Sequence, residues 1–185
     1  MAKQKGIIKI KGTLGDFSFY STKHGDVVRR KWGPDKERRK SDPSFAEADR
    51  NSTEFGECSA SGKIFRQAVK ELISGYSDSD LNTRVNSLMY AVKNLDEKSA
   101  HGKRNVGAAL LNPKAIDLFI GFNFNKDALF NSILKIPYTV DKQTGRITIN
   151  GIAEKGVIKF PKGATHLSLC EGWARIDFKE KNTEL

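Results

Sequence analysis

RRKWGPDKERRKSDPSF, residues 29–45, is where the chain changes its secondary-structure habit. Before it, apolar and polar residues alternate with the period of two that strands require. Beyond it, apolar residues recur every three and four positions, the helical period. Gly33-Pro34 breaks the chain between these textures, and Asp42-Pro43 offers a carboxylate cap ahead of proline at a first helical position. Strands therefore lead into helices once, without the repeated alternation that builds a parallel βαβ sheet.

Toward the N-terminus, GIIKIKG (6–12) reads as a strand. DFSFYST (16–22) and VVRRKW (27–32) read as a hairpin turning at Lys23-His24-Gly25-Asp26. Phe17 and Phe19 share one face of that ribbon, and the opposite face and the strand end at Arg29, Arg30 and Lys31 carry charge.

Toward the C-terminus, Phe45, Ala48, Phe55, Cys58, Gly62, Phe65, Val69 and Leu72 predict one helix ended by Gly75. Leu81, Val85, Leu88, Val92 and Leu95 predict a second, with Gly102 as its stop. The short polar link between them predicts an antiparallel pair. Asn112-Pro113 starts a brief third helix through Leu118. The short runs GFNFN (121–125), LFNSILK (129–135), PYTVD (137–141), RITIN (146–150), VIKF (157–160) and THLSLCEGWARIDF (165–178) then predict antiparallel strands. In them, Asp141 to Gly145 forms a hairpin turn with Gly145 at positive φ, and Glu171-Gly172 a bulge. The expected class is α+β: an N-terminal β-hairpin ribbon over 1–40, a central antiparallel helix pair within 41–120, and a C-terminal antiparallel sheet or sandwich over 121–185. The 185 residues suffice for all three to share one compact unit.

Charge is unevenly spread. Residues 1–40 hold 12 Lys/Arg against 4 Asp/Glu, residues 41–100 hold 7 against 10, and residues 101–185 hold 13 against 8. The overall +10 is thus concentrated at the N-terminus, a field that attracts phosphate polymers or acidic partners. No apolar run forms a signal-peptide core or approaches the length of a membrane span, so no membrane partner is expected. Cys58 and Cys170 read as free thiols in a cytoplasmic protein.

Motifs for catalysis fail on spacing. GECSASGKI (56–64) puts five residues between its glycines where a phosphate loop has four, and Ile64 follows Lys63 where Ser or Thr is needed. DSDLNTRVNSLM (78–89) starts like a calcium loop but has Thr83 where the turn needs Gly and Met89 where the ion needs Glu. His24, His101 and His166 stand apart from one another and from both cysteines, without the close pairs of a metal site. No GxSxG elbow is present. The expectation is a protein without catalytic residues, cofactor or metal.

The basic surface remains. Tyr20, Lys23, Arg29, Arg30, Lys31, Trp32, Lys36, Arg38, Arg39 and Lys40 form the expected contact set. Their cations would neutralise phosphates without reading sequence, and Tyr20 and Trp32 would stack on bases. The rival expectation is a self-assembling structural subunit of a virion, tail or filament. There the strand with Ile7, Ile8 and Ile10, or the C-terminal Thr/Val/Ile strands, would pair between copies. Four stretches, MAKQKGIIKIKGTLGDFSFY (1–20), RRKWGPDKERRKSDPSFAEADRNSTEFG (29–56), PYTVDKQTGRITING (137–151) and PKGATHLSL (161–169), resemble a family of small uncharacterised basic proteins from Bacteroidetes bacteria. The resemblance covers most of the chain and implies a bacterial or phage-related source. It carries no activity or site residue with it.

Overall fold

The computed structural model describes residues 2–22, 24–30, 33, 36–141, 144, 146–151, 156–160, 162–164, 166 and 168–184. The fold is α+β, and the chain divides into two compact units, residues 1–47 and 48–185.

The N-terminal unit is a four-stranded antiparallel sheet followed by a short helix. Strand β1 (Ala2–Lys3) pairs with β4 (Gly25–Arg30), β4 with β3 (Phe17–Thr22), and β3 with β2 (Gly12–Leu14). The expected hairpin is present: Thr22 pairs with Gly25, whose φ of +112° suits glycine. Lys23 lies outside the described residues. The expected first strand is displaced. The residues of GIIKIKG before Gly12 form a bend between β1 and β2, and its isoleucines face solvent. Two adjacent isoleucines cannot share one face of a strand, so Ile7 and Ile8 could not both have been buried there.

Cross-strand register sets the two faces of the sheet. Val28, Phe19 and Ala2 align on one face with Arg30, Phe17 and Leu14, and Val27, Tyr20 and Lys3 align on the other with Arg29, Ser18 and Thr13. Each face thus carries one arginine, rather than one face being apolar and the other charged. Val27 is the one buried residue among those described in this unit. Helix α1 (Lys36–Ser41) follows, its last turn basic with Arg38, Arg39 and Lys40, where positive charge suits the carbonyl end of the helix.

Asp42 caps the next helical segment as expected. Its carboxylate accepts from the Ser44 amide at 3.0 Å and the Ser44 hydroxyl at 2.7 Å, starting a 3-10 turn over Pro43–Phe45 that runs into α2 (Ala46–Ala68). The hydrogen bonds hold the Asp42 carboxyl below its ordinary range.

In the C-terminal unit, α2 meets α4 (Leu81–Lys93) with opposite polarity. Glu54 touches Lys93 near one end of the contact, and Gly62 abuts Val85 and Asn86 near the other. This is the expected antiparallel pair, and Cys58, Gly62 and Phe65 of the expected face lie on its seam or pack against the core, but the rest of the seam differs from the expectation. Phe55 is 57% exposed, and the buried positions of α2 are Glu54, Cys58, Ser61, Gly62, Ile64 and Ala68. Small residues let the helices close: a Cβ on Gly62 would stand 2.7 Å from Asn86 Oδ1 and 3.2 Å from a Val85 methyl. The buried positions of α4 are Leu81, Val85, Met89, Val92 and Lys93, and the helix ends at Asn94. Gly102 does not end it; it sits in the following loop at φ +93°, packed against the Arg50 side chain. Val69 breaks the first helix before α3 (Lys70–Ile73), and Gly75 stops it as expected.

Asn105 caps α5 (Val106–Ala109), a helix the sequence did not announce, and Asn112 caps the expected α6 (Pro113–Asp117). Among the described residues nine form the central cluster: Cys58, Leu81, Val85, Met89, Val92, Val106, Ala109, Ala115 and Phe178. Beside them Phe65 meets Phe119, Phe122 and Phe124 with ring centroids 5.5, 6.2 and 5.8 Å apart.

Among the described residues the C-terminal strands are fewer than expected and pair as two ribbons. β5 (Tyr138–Val140) pairs with β6 (Ile147–Ile149), and β7 (Arg175–Asp177) with β8 (Asn182–Glu184). Among the described residues GFNFN is not a strand, LFNSILK contains helix α7 (Phe130–Ile133), and VIKF contributes a single bridge, Ile158 to Leu134. The turn between β5 and β6 is held by Asp141, which accepts from the Thr144 hydroxyl at 2.6 Å; Lys142, Gln143 and Gly145 lie outside the described residues. Gly172 is not a strand bulge. It is a point of close approach, where a Cβ would fall 2.5 Å from a Leu72 methyl.

Candidate functional sites

The described arginines and the basic helix of the expected contact set reach solvent by three routes. On one sheet face, the Arg29 guanidinium lies 5.8 Å from the Tyr20 ring centroid, a cation over an aromatic plane. On the other, Arg30 aligns with Phe17 and pairs with Asp16 at 3.7 Å, both side chains well exposed. Alternation along β4 forces this divergence, so Arg29 and Arg30 cannot press on the same flat surface. The third route is α1, where Arg38 pairs with Asp42 at 3.9 Å and Arg39 and Lys40 are exposed. Of the expected contact set, the structure brings Tyr20 and Arg29 together and places Arg30 on the opposite face. It places Arg38, Arg39 and Lys40 on α1, which Lys36 begins. Lys23, Lys31 and Trp32 lie outside the described residues.

The loop joining β1 to β2, where a strand was expected, is built around Gln4. Gln4 continues the ladder through its amide, which donates to the Asp26 carbonyl at 2.9 Å. Its side chain then imitates a strand. The Ile10 amide donates to Gln4 Oε1 at 3.1 Å, and Gln4 Nε2 donates to the Ile10 carbonyl at 3.3 Å and the Val27 carbonyl at 3.4 Å. Lys9 Nζ donates to the Gln4 carbonyl at 2.6 Å. These bonds close the base of the loop, and Ile7 and Ile8 stand at its tip, 103% and 83% exposed.

In the C-terminal unit the most concentrated charges are buried. Glu54 Oε2 accepts from Lys93 Nζ at 2.6 Å and Arg104 at 2.8 Å, while Oε1 accepts from Arg104 and the Gly102 amide, both at 2.8 Å. The Lys93 ammonium also lies 4.1 Å from the Tyr90 ring centroid. The Arg104 hydrogen bonds, with Lys93 and the Gly102 amide behind them, outweigh burial and hold the Glu54 carboxyl far below its usual range. Such a group neither donates a proton at neutral pH nor accepts one readily, so the cluster is a brace between α2, α4 and the loop before α5. Asp96 secures that loop by accepting from the Lys98, Ser99 and Asn105 amides at 3.1, 3.1 and 3.2 Å. The neighbouring cavity, about 380 Å³, is lined by Glu57, Lys103, Asn105 and Lys179 among others.

A wider groove of about 770 Å³ runs along α2 and α4 between Phe55 and Tyr90, with Asn51, Ser52, Thr83 and Ser87 in its wall. Amides, hydroxyls and rings line it, and among the described residues no carboxylate, imidazole or thiol does. Of the two motif-like stretches, one is helical throughout and the other is a turn over 78–80 that leads into α4. GECSASGKI lies inside α2, and the Asp78 carboxylate is occupied by Arg84 and the Asp80 and Lys126 amides. Among the described residues no three His, Cys, Asp or Glu side chains converge as a metal would need, and no helix is long and apolar enough to cross a membrane.

No protein-family model, curated protein or solved structure matches the chain.

Proposed function

We propose that the N-terminal unit binds nucleic acid without reading its sequence, as the charged part of a non-enzymatic component of a larger assembly. The observation that carries this reading is the concentration of 12 Lys/Arg against 4 Asp/Glu in residues 1–40, where Val27 is the one buried residue among those described. Cations held on a folded ribbon neutralise phosphates with less ordering cost than cations on a free tail. Tyr20 supplies a ring already engaged by Arg29, a pairing that suits stacking against a base. Because Arg29 and Arg30 diverge, the bound strand lies along an edge of the ribbon with one cation on either side. The two free thiols, Cys58 and Cys170, favour a reducing compartment, the cytoplasm.

Fluorescence anisotropy with labelled single-stranded and duplex oligonucleotides across a salt series tests this. The logarithm of the association constant is expected to fall linearly with that of salt, and R29Q/R30Q/R38Q/R39Q/K40Q is expected to flatten the slope, by about 0.9 per lost phosphate contact on duplex. Absence of association with either probe at low salt overturns the reading.

A second reading, a self-assembling structural subunit of a virion, tail or filament, is favoured by the ribbon of β5 and β6. Tyr138, Val140, Ile147 and Ile149 share one of its faces, and the first three are 43%, 48% and 38% exposed. A two-stranded ribbon is marginal by itself, and pairing with another copy would satisfy it. A monomer in sedimentation velocity at high concentration counts against this reading.

A further inference from the structure

Resting on the nucleic-acid reading, we propose that the Ile7–Ile8 tip is a wedge that enters duplex DNA between base steps from the minor groove, with the surrounding lysines on the phosphates. Three observations carry it.

The first is exposure. Ile7 and Ile8 are adjacent, at 103% and 83%, and Ile10 beside them is 45% exposed. Single exposed apolar residues are common on proteins, but two large β-branched side chains at the tip of one loop are a concentrated apolar point.

The second is rigidity at the base. Gln4 satisfies both the amide and the carbonyl of Ile10 and ties itself to Val27 on β4, while Lys9 closes onto the Gln4 carbonyl. A loop needed only to connect β1 to β2 has no use for a side chain acting as a third strand. A wedge that must unstack bases does, because any yielding of its mount lowers the force it delivers.

The third is the collar. Lys3, Lys5 and Lys11 flank the tip in sequence, beside Lys9 whose ammonium closes the loop base, and the described part of the loop holds no acid between Ala2 and Gly15. Apolar wedges in the minor groove work with cations on the adjoining phosphates, where affinity comes from the charges and deformation from the wedge.

An anionic lipid surface would also accept basic residues around an apolar point. The amount of apolar surface decides against it: two isoleucines offer less than one myristoyl chain, and that chain alone gives only marginal binding. On DNA the wedge is not asked for affinity, so its small area is no handicap.

The test uses the full chain, a duplex carrying 2-aminopurine within an A·T-rich stretch, and the variant I7S/I8S, whose substitutions lie in solvent and leave the sheet intact. The native protein is expected to raise the 2-aminopurine fluorescence several-fold as the step opens. I7S/I8S is expected to lose most of that rise while keeping the salt slope and staying within about tenfold of the native affinity at matched salt. Q4A is expected to give an intermediate rise, because the tip loses its mount. Binding without a fluorescence rise, or a rise that survives in I7S/I8S, overturns the wedge and leaves the phosphate-binding reading standing. Failure to bind any oligonucleotide overturns both. Co-sedimentation with phosphatidylserine vesicles that I7S/I8S abolishes, with no rise on DNA, assigns the tip to lipid and overturns the wedge.

Discussion

The two units are held together by different physics. Residues 1–47 bury a single described side chain, Val27, and owe their shape to ladder bonds, the Gln4 clamp and the Asp42 cap. Residues 48–185 pack nine side chains into one cluster and seal a carboxylate, an ammonium and a guanidinium at its edge. A unit without a core is shaped by hydrogen bonds that water competes for, and its surface residues are under little packing constraint. A unit with a core cannot alter its seam without repacking. Surface function is easily written on the first, and stability resides in the second.

The strongest blow to that contrast is Glu54→Ala. It leaves Lys93 buried with no carboxylate and frees Arg104 and the Gly102 amide, so a loss of about 3–5 kcal/mol is expected in urea unfolding followed by helical circular dichroism. Replacing Glu54 and Lys93 together by Met should cost markedly less, since no fully buried charge is then stranded and Arg104, 26% exposed, keeps access to water. An equal cost for both variants would mean that packing volume, and not charge, is what the site supplies.

Acid should find the same weak point. The folded Glu54 carboxyl titrates below its unfolded value of about 4.3, so its contribution is fully present above that value and is lost as pH falls toward the folded one. Asp78 and Asp96 act in the same direction: the Lys126 amide bond leads in lowering Asp78, and in Asp96 the Ser99, Asn105 and Lys98 bonds outweigh opposing burial. Urea midpoints of the native chain should therefore drop steadily below about pH 4.5, and those of Glu54→Gln should drop less steeply. Parallel curves would remove Glu54 from the account.

A smaller effect separates two glycines of one helix. A Cβ on Gly56 meets nothing within 4 Å, and Gly56→Ala is expected to stabilise α2 by about 0.5–1 kcal/mol. Gly62→Ala must push aside Asn86 and Val85, and the expected gain should be cancelled or reversed. Smallest of all, R38A/R39A in α1 should leave the unfolding free energy within about 0.5 kcal/mol of the native value while weakening any polyanion complex, as surface cations do. A large stability loss there would show that the basic helix is structural.

Local signals were legible in the sequence and long-range ones were not. Asp42-Pro43, Asn112-Pro113 and Gly75 act within a few residues of themselves, and each starts or stops a helix as its chemistry dictates. The β3–β4 and β5–β6 hairpins were likewise readable because adjacent runs pair across short turns. Part of the α2 seam was hidden: Cys58 and Gly62 fell on the expected face, but Glu54, Ser61, Ile64 and Ala68 did not, and Phe55, the obvious candidate, faces solvent. Its reasons lie in α4 and in Arg104, 50 residues away. The phenylalanines of GFNFN alternate like a strand yet pack on Phe65 from an irregular segment, so alternation reported burial without reporting conformation. At the candidate interface, charge was visible from composition. The division of Arg29 from Arg30 between faces needed the register, and the Gln4 clamp needed the fold.

The two cysteines of the C-terminal unit give it a clock. Cys170 is exposed, whereas Cys58 is 1% exposed on the α2 seam, with burial raising its thiol above the ordinary range. A thiol reagent should therefore modify one site at the rate of a small peptide and the other only when the two long helices part. The interval between the first and second additions measures how often that seam opens, with no label introduced and no residue changed.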